Sequence, residues 1–236
     1  GQCLLDVAAL PQLEAVLDVV YNPFATELVL RAKDRGLTAV GGFEMLVAQA
    51  VYAAEHFTGK PLDSETLIPQ ISRELQKELQ NVVLIGMPGC GKSTVGAALA
   101  KKLGKTFVDA DEEIERRTGK AIPDIFAQEG EAAFRRYEAD VIADLTRQNR
   151  LVIACGGGVV KTPENWHALR QNGPVLWVQR PLDKLATAGR PLSKGGAALR
   201  EMEQERLPLY RAASTAALCN DGALADTVAA ALHLLK

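Results

Sequence analysis

The sequence predicts an α/β protein: a parallel sheet with helices on both faces, preceded by a smaller α/β segment. Two observations carry that expectation. From residue 82 onward, uninterrupted apolar runs of strand length alternate with helix-length stretches, the pattern of strands buried on both faces by crossover helices. Before residue 80 the same alternation occurs in shorter pieces. Composition supports both: of 236 residues, 47% are hydrophobic and 24% charged, which excludes disorder as the dominant state and suffices for a buried core.

In chain order, VLDVV ahead of Tyr21 is the first strand candidate, and ATELVLRAKDRG reads as a helix closed by Gly36. LTAV is a second strand, and FEMLVAQAVYAAEHF a long apolar-rich helix ending near Gly59. Pro61 breaks the chain, and SETLIPQISRELQKELQ follows with Leu67, Ile71, Leu75 and Leu79 on one helical face, expected to pack on a neighbour. The division is placed here, giving domains of residues 1–79 and 80–236. NVVLIG then opens a new unit, in which TFVDA, LVIAC and PVLWV read as further buried strands and TVAAALHLL as the closing helix.

The net charge of −2 argues against nucleic acid as the main partner. It is unevenly spread. Residues 1–80 carry 6 Lys and Arg against 11 Asp and Glu, whereas the remainder carries 21 against 18, which suits an anionic ligand. No apolar stretch approaches the ~18 residues of a membrane span, and GQCLLDVAAL lacks the features of a secretory signal, so a cytoplasmic protein is expected. Gly1 is an unusual natural start, and a processed end or a fragment is expected. Cys3, Cys90, Cys155 and Cys219 form no CxxC pair and no zinc spacing, and free thiols in a reducing compartment are expected.

The chemistry starts after the NVVLI strand. GMPGCGKST, comprising Gly86, Met87, Pro88, Gly89, Cys90, Gly91, Lys92, Ser93 and Thr94, fits the phosphate-loop pattern GxxxxGK[ST]. Its glycines let backbone N–H groups turn toward phosphates, the following helix adds its positive end, Lys92 reaches the terminal phosphates, and the Ser93 hydroxyl can ligate Mg²⁺. The loop specifies a nucleotide phosphate but not an acceptor. FVDADEEIE places Asp109 and Asp111 at a strand end, where residues two apart face one side. One carboxylate can serve the metal and the other an acceptor hydroxyl. GEAAFRRYE puts Arg135 and Glu138 on one helical face, and such an Arg can clamp a carboxylate. Gly156, Gly157 and Gly158 end a buried strand and admit a ligand close to the backbone. GRPLSKGG carries Arg190 in what reads as a mobile lid, and ERLPLYR supplies Arg206 as a second carboxylate binder.

Taken together and in this order, GMPGCGKST, FVDADEEIE, IFAQEGEAAFRRYE, ACGGGVV, GRPLS and ERLPLYR resemble shikimate kinase over about residues 80–236. The resemblance implies a nucleoside-monophosphate-kinase-like fold of the P-loop class with a five-stranded parallel sheet, and Mg²⁺- and ATP-dependent phosphorylation of the shikimate 3-hydroxyl. It implies that Lys92 contacts the nucleotide phosphates, that Ser93 and Asp109 serve the metal, and that Asp111 holds the acceptor hydroxyls as the base candidate. Arg135, Arg206 and the Gly156–Gly158 backbone would hold the shikimate carboxylate, Phe126 and Phe134 would wall the ring, and Glu138 would orient the arginine. Arg190 would be the lid cation, with the loop near Asn220 and Asp221 over the adenine. The sequence departs from the family in one place: LATAG, ahead of the lid motif, lacks an Arg that many members carry.

Residues 1–62 are similar to the C-terminal part of shikimate dehydrogenase, with Tyr21, Met45, Leu46 and Gln49 at matching positions. No Gly-rich dinucleotide loop follows a strand anywhere, so a dehydrogenase remnant or a truncated fusion is expected rather than a working dehydrogenase. Half of such a domain leaves strands unpaired and apolar faces uncovered, and self-association through it is expected. The alternatives are a related gluconate-type or nucleotide kinase and a nucleotide-binding module without transfer activity.

Overall fold

The computed structural model describes residues 5–185 and 196–235. The chain forms two compact units, Gly1–Gln80 and Asn81–Lys236.

In the first unit, β1 (Ala15–Leu17), α1 (Glu27–Asp34) and β2 (Thr38–Val40) make a small βαβ unit whose strands pair in parallel, Val16 opposite Ala39. α2 (Phe43–Thr58) and α3 (Ser64–Leu79) follow, and α3 packs on α2. Local chemistry sets these ends. The Thr26 hydroxyl caps α1, Gly59 closes α2 at φ 63°, and the Asp63 carboxylate caps α3 by accepting from the Thr66 N–H. The first strand is shorter than VLDVV suggests. The Asp18 carboxylate accepts from the Val20 N–H and the Thr26 hydroxyl, a local turn that ends the strand at Leu17. The core of this unit is small, built from Val7, Val16, Val29, Ala32 and Ala39. Leu17, Val19 and Phe57 stand 84%, 69% and 85% exposed, so substantial apolar surface is uncovered in this unit.

The second unit comprises β3 (Val82–Ile85), α4 (Lys92–Leu103), β4 (Thr106–Asp109), α5 (Ala110–Thr118), α6 (Ile122–Gln128), α7 (Gly130–Arg147), β5 (Leu151–Ala154), α8 (Glu164–Arg170), β6 (Val175–Gln179), α9 (Gly196–Ala213), β7 (Ala216–Cys219) and α10 (Leu224–Leu234). Its five strands run parallel in the order β4-β5-β3-β6-β7. Every residue of β3 and β5 is buried, as their unbroken apolar runs require of central strands. Register places Val83 opposite Ile153 on one side and Val175 on the other. The carboxyl ends of all five strands therefore share one edge, where open α/β sheets bind ligands.

One strand of the expected five was not legible, and one expectation needs correction. β7 was not apparent in the residue pattern, because AALC has no β-branched residue and lies at the sheet edge with one buried position. Asp111 is not in a strand: β4 ends at Asp109 and Asp111 lies in the first turn of α5. Asp109 caps that helix by accepting from the Asp111 N–H at 3.0 Å, so strand alternation does not relate the two carboxylates. Cys90 and Cys155 are buried free thiols and Cys219 an exposed one. Among the described residues no helix is long and apolar enough to cross a membrane.

Candidate active site

The phosphate loop joins β3 to α4 at the centre of the sheet edge. Gly91, the N-cap of α4, adopts φ 94°, which favours glycine, and a Cβ there would stand 2.6 Å from Asn220 Nδ2. Asn220 in turn donates to the Cys90 carbonyl at 2.7 Å and accepts from the Thr227 hydroxyl. The Asn220 side chain thus braces the phosphate loop. Met87 and Cys90 turn into the core, whereas Ser93 and Thr94 are exposed at the start of α4. Lys92 is buried and donates to the carbonyls of Gly86 at 2.9 Å and Met87 at 3.1 Å. An anion in the loop offers that ammonium a stronger, charge-assisted partner.

On one flank of the loop, the Ser93 hydroxyl donates to Asp109 Oδ2 at 2.6 Å. A hydroxyl and a carboxylate side by side are the hard oxygen donors that Mg²⁺ prefers. The Asp111 carboxyl lies deeper. Burial pushes it up to about 6, helped by the negative charge of Asp109 and opposed by Lys92 and Arg135. Glu138 on α7 is 1% exposed, and burial pushes it up to about 7 against the pull of Arg135. Asp111 Oδ1 and Glu138 Oε1 are both buried without a hydrogen-bond partner. They converge on Gly156, where a Cβ would stand 2.6 Å from the first and 3.1 Å from the second.

The three glycines after β5 are a meeting point rather than a loose turn. A Cβ at Gly158 would overlap both terminal nitrogens of the Arg135 guanidinium, and one at Gly157 would strike the Pro88 ring. The Gly157 carbonyl accepts from Arg206 Nη1 at 2.9 Å and from the Tyr210 hydroxyl, both on α9. Consecutive glycines thus hold two arginines from different helices at one place. Arg135 is anchored to Glu138 at 2.7 Å and to Glu131 at 3.1 Å, with its guanidinium 5.1 Å from the centre of the Phe134 ring. Arg206 is 6% exposed, and its Nε is buried without a partner. Phe126 and Phe134 meet with ring centres 4.7 Å apart.

The predicted residues therefore gather around the carboxyl ends of β3, β4 and β5, except Arg190, which lies outside the described residues. Two residues were missed. Tyr210 lies in the ERLPLYR motif, four positions after Arg206, and that one-turn spacing is the signal that pairs them on Gly157. Arg180 follows β6 directly and lines a cleft of about 320 Å³ with Met87, Tyr210 and Asp221.

Such a site can hold a polyphosphate, a metal and a small anion bearing hydroxyls. A family model for shikimate kinase matches residues 88–235. The shikimate kinase of Symbiobacterium thermophilum is 40% identical over 167 residues, covering 66% of this chain and 96% of that protein. That of Nitrosomonas europaea is 48% identical over 139 residues, covering 56% of this chain and 66% of its own length, just under two thirds. The solved structure of shikimate kinase from Acinetobacter baumannii in complex with shikimate superposes with a TM-score of 0.65 at 37% identity, over 69% of this chain and 96% of that one. The Aquifex aeolicus enzyme gives 0.59 at 31% identity, over 66% and 95%. The chain belongs to the shikimate kinase family, with its kinase domain at residues 88–235.

Proposed function

We propose that this chain transfers the γ-phosphoryl group of ATP to the 3-hydroxyl of shikimate. The convergence at Gly156–Gly158 carries the reading: two unpartnered carboxyl oxygens beside two arginines suit a ligand bearing both hydroxyls and a carboxylate. A gluconate-type acceptor is also an acid with hydroxyls, but the partly exposed Phe126 ring, packed on the buried Phe134, favours a ring. A module that only binds nucleotide has no use for Asp111.

The roles follow from the chemistry of phosphoryl transfer, which is positioning and charge stabilisation. Arg135 and Arg206 take the shikimate carboxylate, and Glu138 holds Arg135 in place. Asp111 accepts from the attacking hydroxyl and aligns it. Lys92 exchanges its loop carbonyls for the transferring phosphate, whose negative charge it stabilises. Ser93 and Asp109 would hold Mg²⁺, which neutralises phosphate charge when bound. Arg190 is proposed as a further cation for the phosphates.

Residues 1–62 are proposed to derive from the C-terminal part of a shikimate dehydrogenase, with the kinase domain taken as residues 80–236. The parallel β1–α1–β2 unit supports this as a piece of a dinucleotide-domain sheet, and the exposed Leu17, Val19 and Phe57 support self-association through it.

The test is Asp111→Asn. Shikimate-dependent turnover is expected to fall by about a thousandfold or more while ADP affinity stays within about twofold. Equal loss of both would remove Asp111 from the acceptor side.

A further inference from the structure

The kinase reading places shikimate on the β4–β5 flank of the phosphate loop. The other flank, at the ends of β6 and β7, holds a cation that no role above uses. Arg180 follows the last residue of β6, and its Nη1 lies 3.7 Å from where a Cβ on Gly91 would stand. It is thus seated beside the residue that opens α4, where the loop and the helix dipole favour negative charge. Its Nε is buried without a hydrogen-bond partner. Asp221, a carboxylate lining the same cleft, is ion-paired with Lys184. Glu203 also lines the cleft, and among the described residues no ion pair joins it to Arg180. Asp221 thus already has its cation in Lys184, whereas no ion pair is formed by Arg180 among the described residues.

A partly buried guanidinium without an acid is costly in the empty protein. An arriving anion that accepts from several of its N–H groups offsets that cost, and a phosphate does so in bidentate fashion. We infer that Arg180 is a second phosphate-loop cation, which contacts the polyphosphate of the bound nucleoside triphosphate on the side away from shikimate. The inference rests on the kinase reading of the loop but adds a residue outside the six motifs of the sequence.

Arg180→Gln and Arg180→Lys in the full chain test it. Initial rates would be measured against ATP and shikimate, together with calorimetric binding of inorganic tripolyphosphate, ADP and adenosine. Arg180→Gln is expected to raise the KM for ATP and the Kd for tripolyphosphate each by about tenfold. The KM for shikimate, the Kd for adenosine and the melting temperature should stay unchanged, and Arg180→Lys should recover most of the loss. Unchanged tripolyphosphate binding overturns the inference. So does weakened adenosine binding alone, which would mean stacking on the base, or an equal rise in both KM values with a lowered melting temperature, which would mean a structural role. The calorimetry needs no turnover. A chain inactive on shikimate would sink the kinase reading and leave the Arg180 result readable.

Discussion

Glu138→Gln sets two large electrostatic effects against each other. Breaking a buried ion pair by removing one partner ordinarily costs about 3–5 kcal/mol, because the other charge is left uncompensated. Here that partner is Arg135, which keeps Glu131 at 3.1 Å and the Phe134 ring, and is not abandoned. Glu138 itself is held near 7 instead of its ordinary 4.5, with burial the largest cause. The folded protein therefore binds a proton that the unfolded chain has released between those values. Its contribution is fully present below 4.5 and is lost as the pH rises through 7, so ionised Glu138 costs the fold about 3 kcal/mol at alkaline pH. A neutral glutamine escapes that cost and still offers Arg135 an amide oxygen. Urea unfolding of both proteins would be compared at about pH 5 and about pH 8. The variant's stability relative to wild type should improve by about 2–3 kcal/mol between the two. A stability difference independent of pH, or a variant several kcal/mol less stable at about pH 8, would refute the reasoning and show that the Arg135 pair outweighs desolvation.

Other outcomes follow from the same geometry. Arg135→Ala should raise the KM for shikimate by about a hundredfold and leave that for ATP nearly unchanged, as steady-state kinetics would show. Gly158→Ala should have a similar though smaller effect, because the added methyl displaces the Arg135 guanidinium without removing it. Residues 81–236 expressed alone should fold and keep shikimate-dependent activity, since the whole five-stranded sheet and every assigned residue lie within them. Sedimentation of the full chain should show association with concentration that this fragment lacks; a monomer in both cases would contradict self-association through Leu17, Val19 and Phe57.

The central strands could be read from residues alone because burial on both faces leaves β3 and β5 no polar position. β7 escaped because an edge strand of small residues carries no such signal. The phosphate loop was legible because its backbone shape demands particular residues at fixed spacing. The acceptor side was legible in membership but not in geometry. Asp109 and Asp111 look like a strand pair in sequence, yet an aspartate followed by three more acidic side chains in the first helical turn is also a capping signal, and the cap prevailed. Asn220 and Arg180 reach the loop across 129 and 89 residues of chain from Gly91, and only strand order brings them there. The meeting of Arg135 and Arg206 at Gly157–Gly158 likewise depends on α7 and α9, far apart in the chain, both packing against the segment that follows β5.

The most direct measurement is ADP release by the purified chain with Mg²⁺ and ATP, in the presence and absence of shikimate, with gluconate and nucleoside monophosphates as competing acceptors and the product examined by phosphorus NMR. Release that depends on shikimate, with the new phosphate ester on the 3-oxygen, is the predicted result. ATP binding with no shikimate-dependent release, or faster release with gluconate or a nucleoside monophosphate, would contradict it.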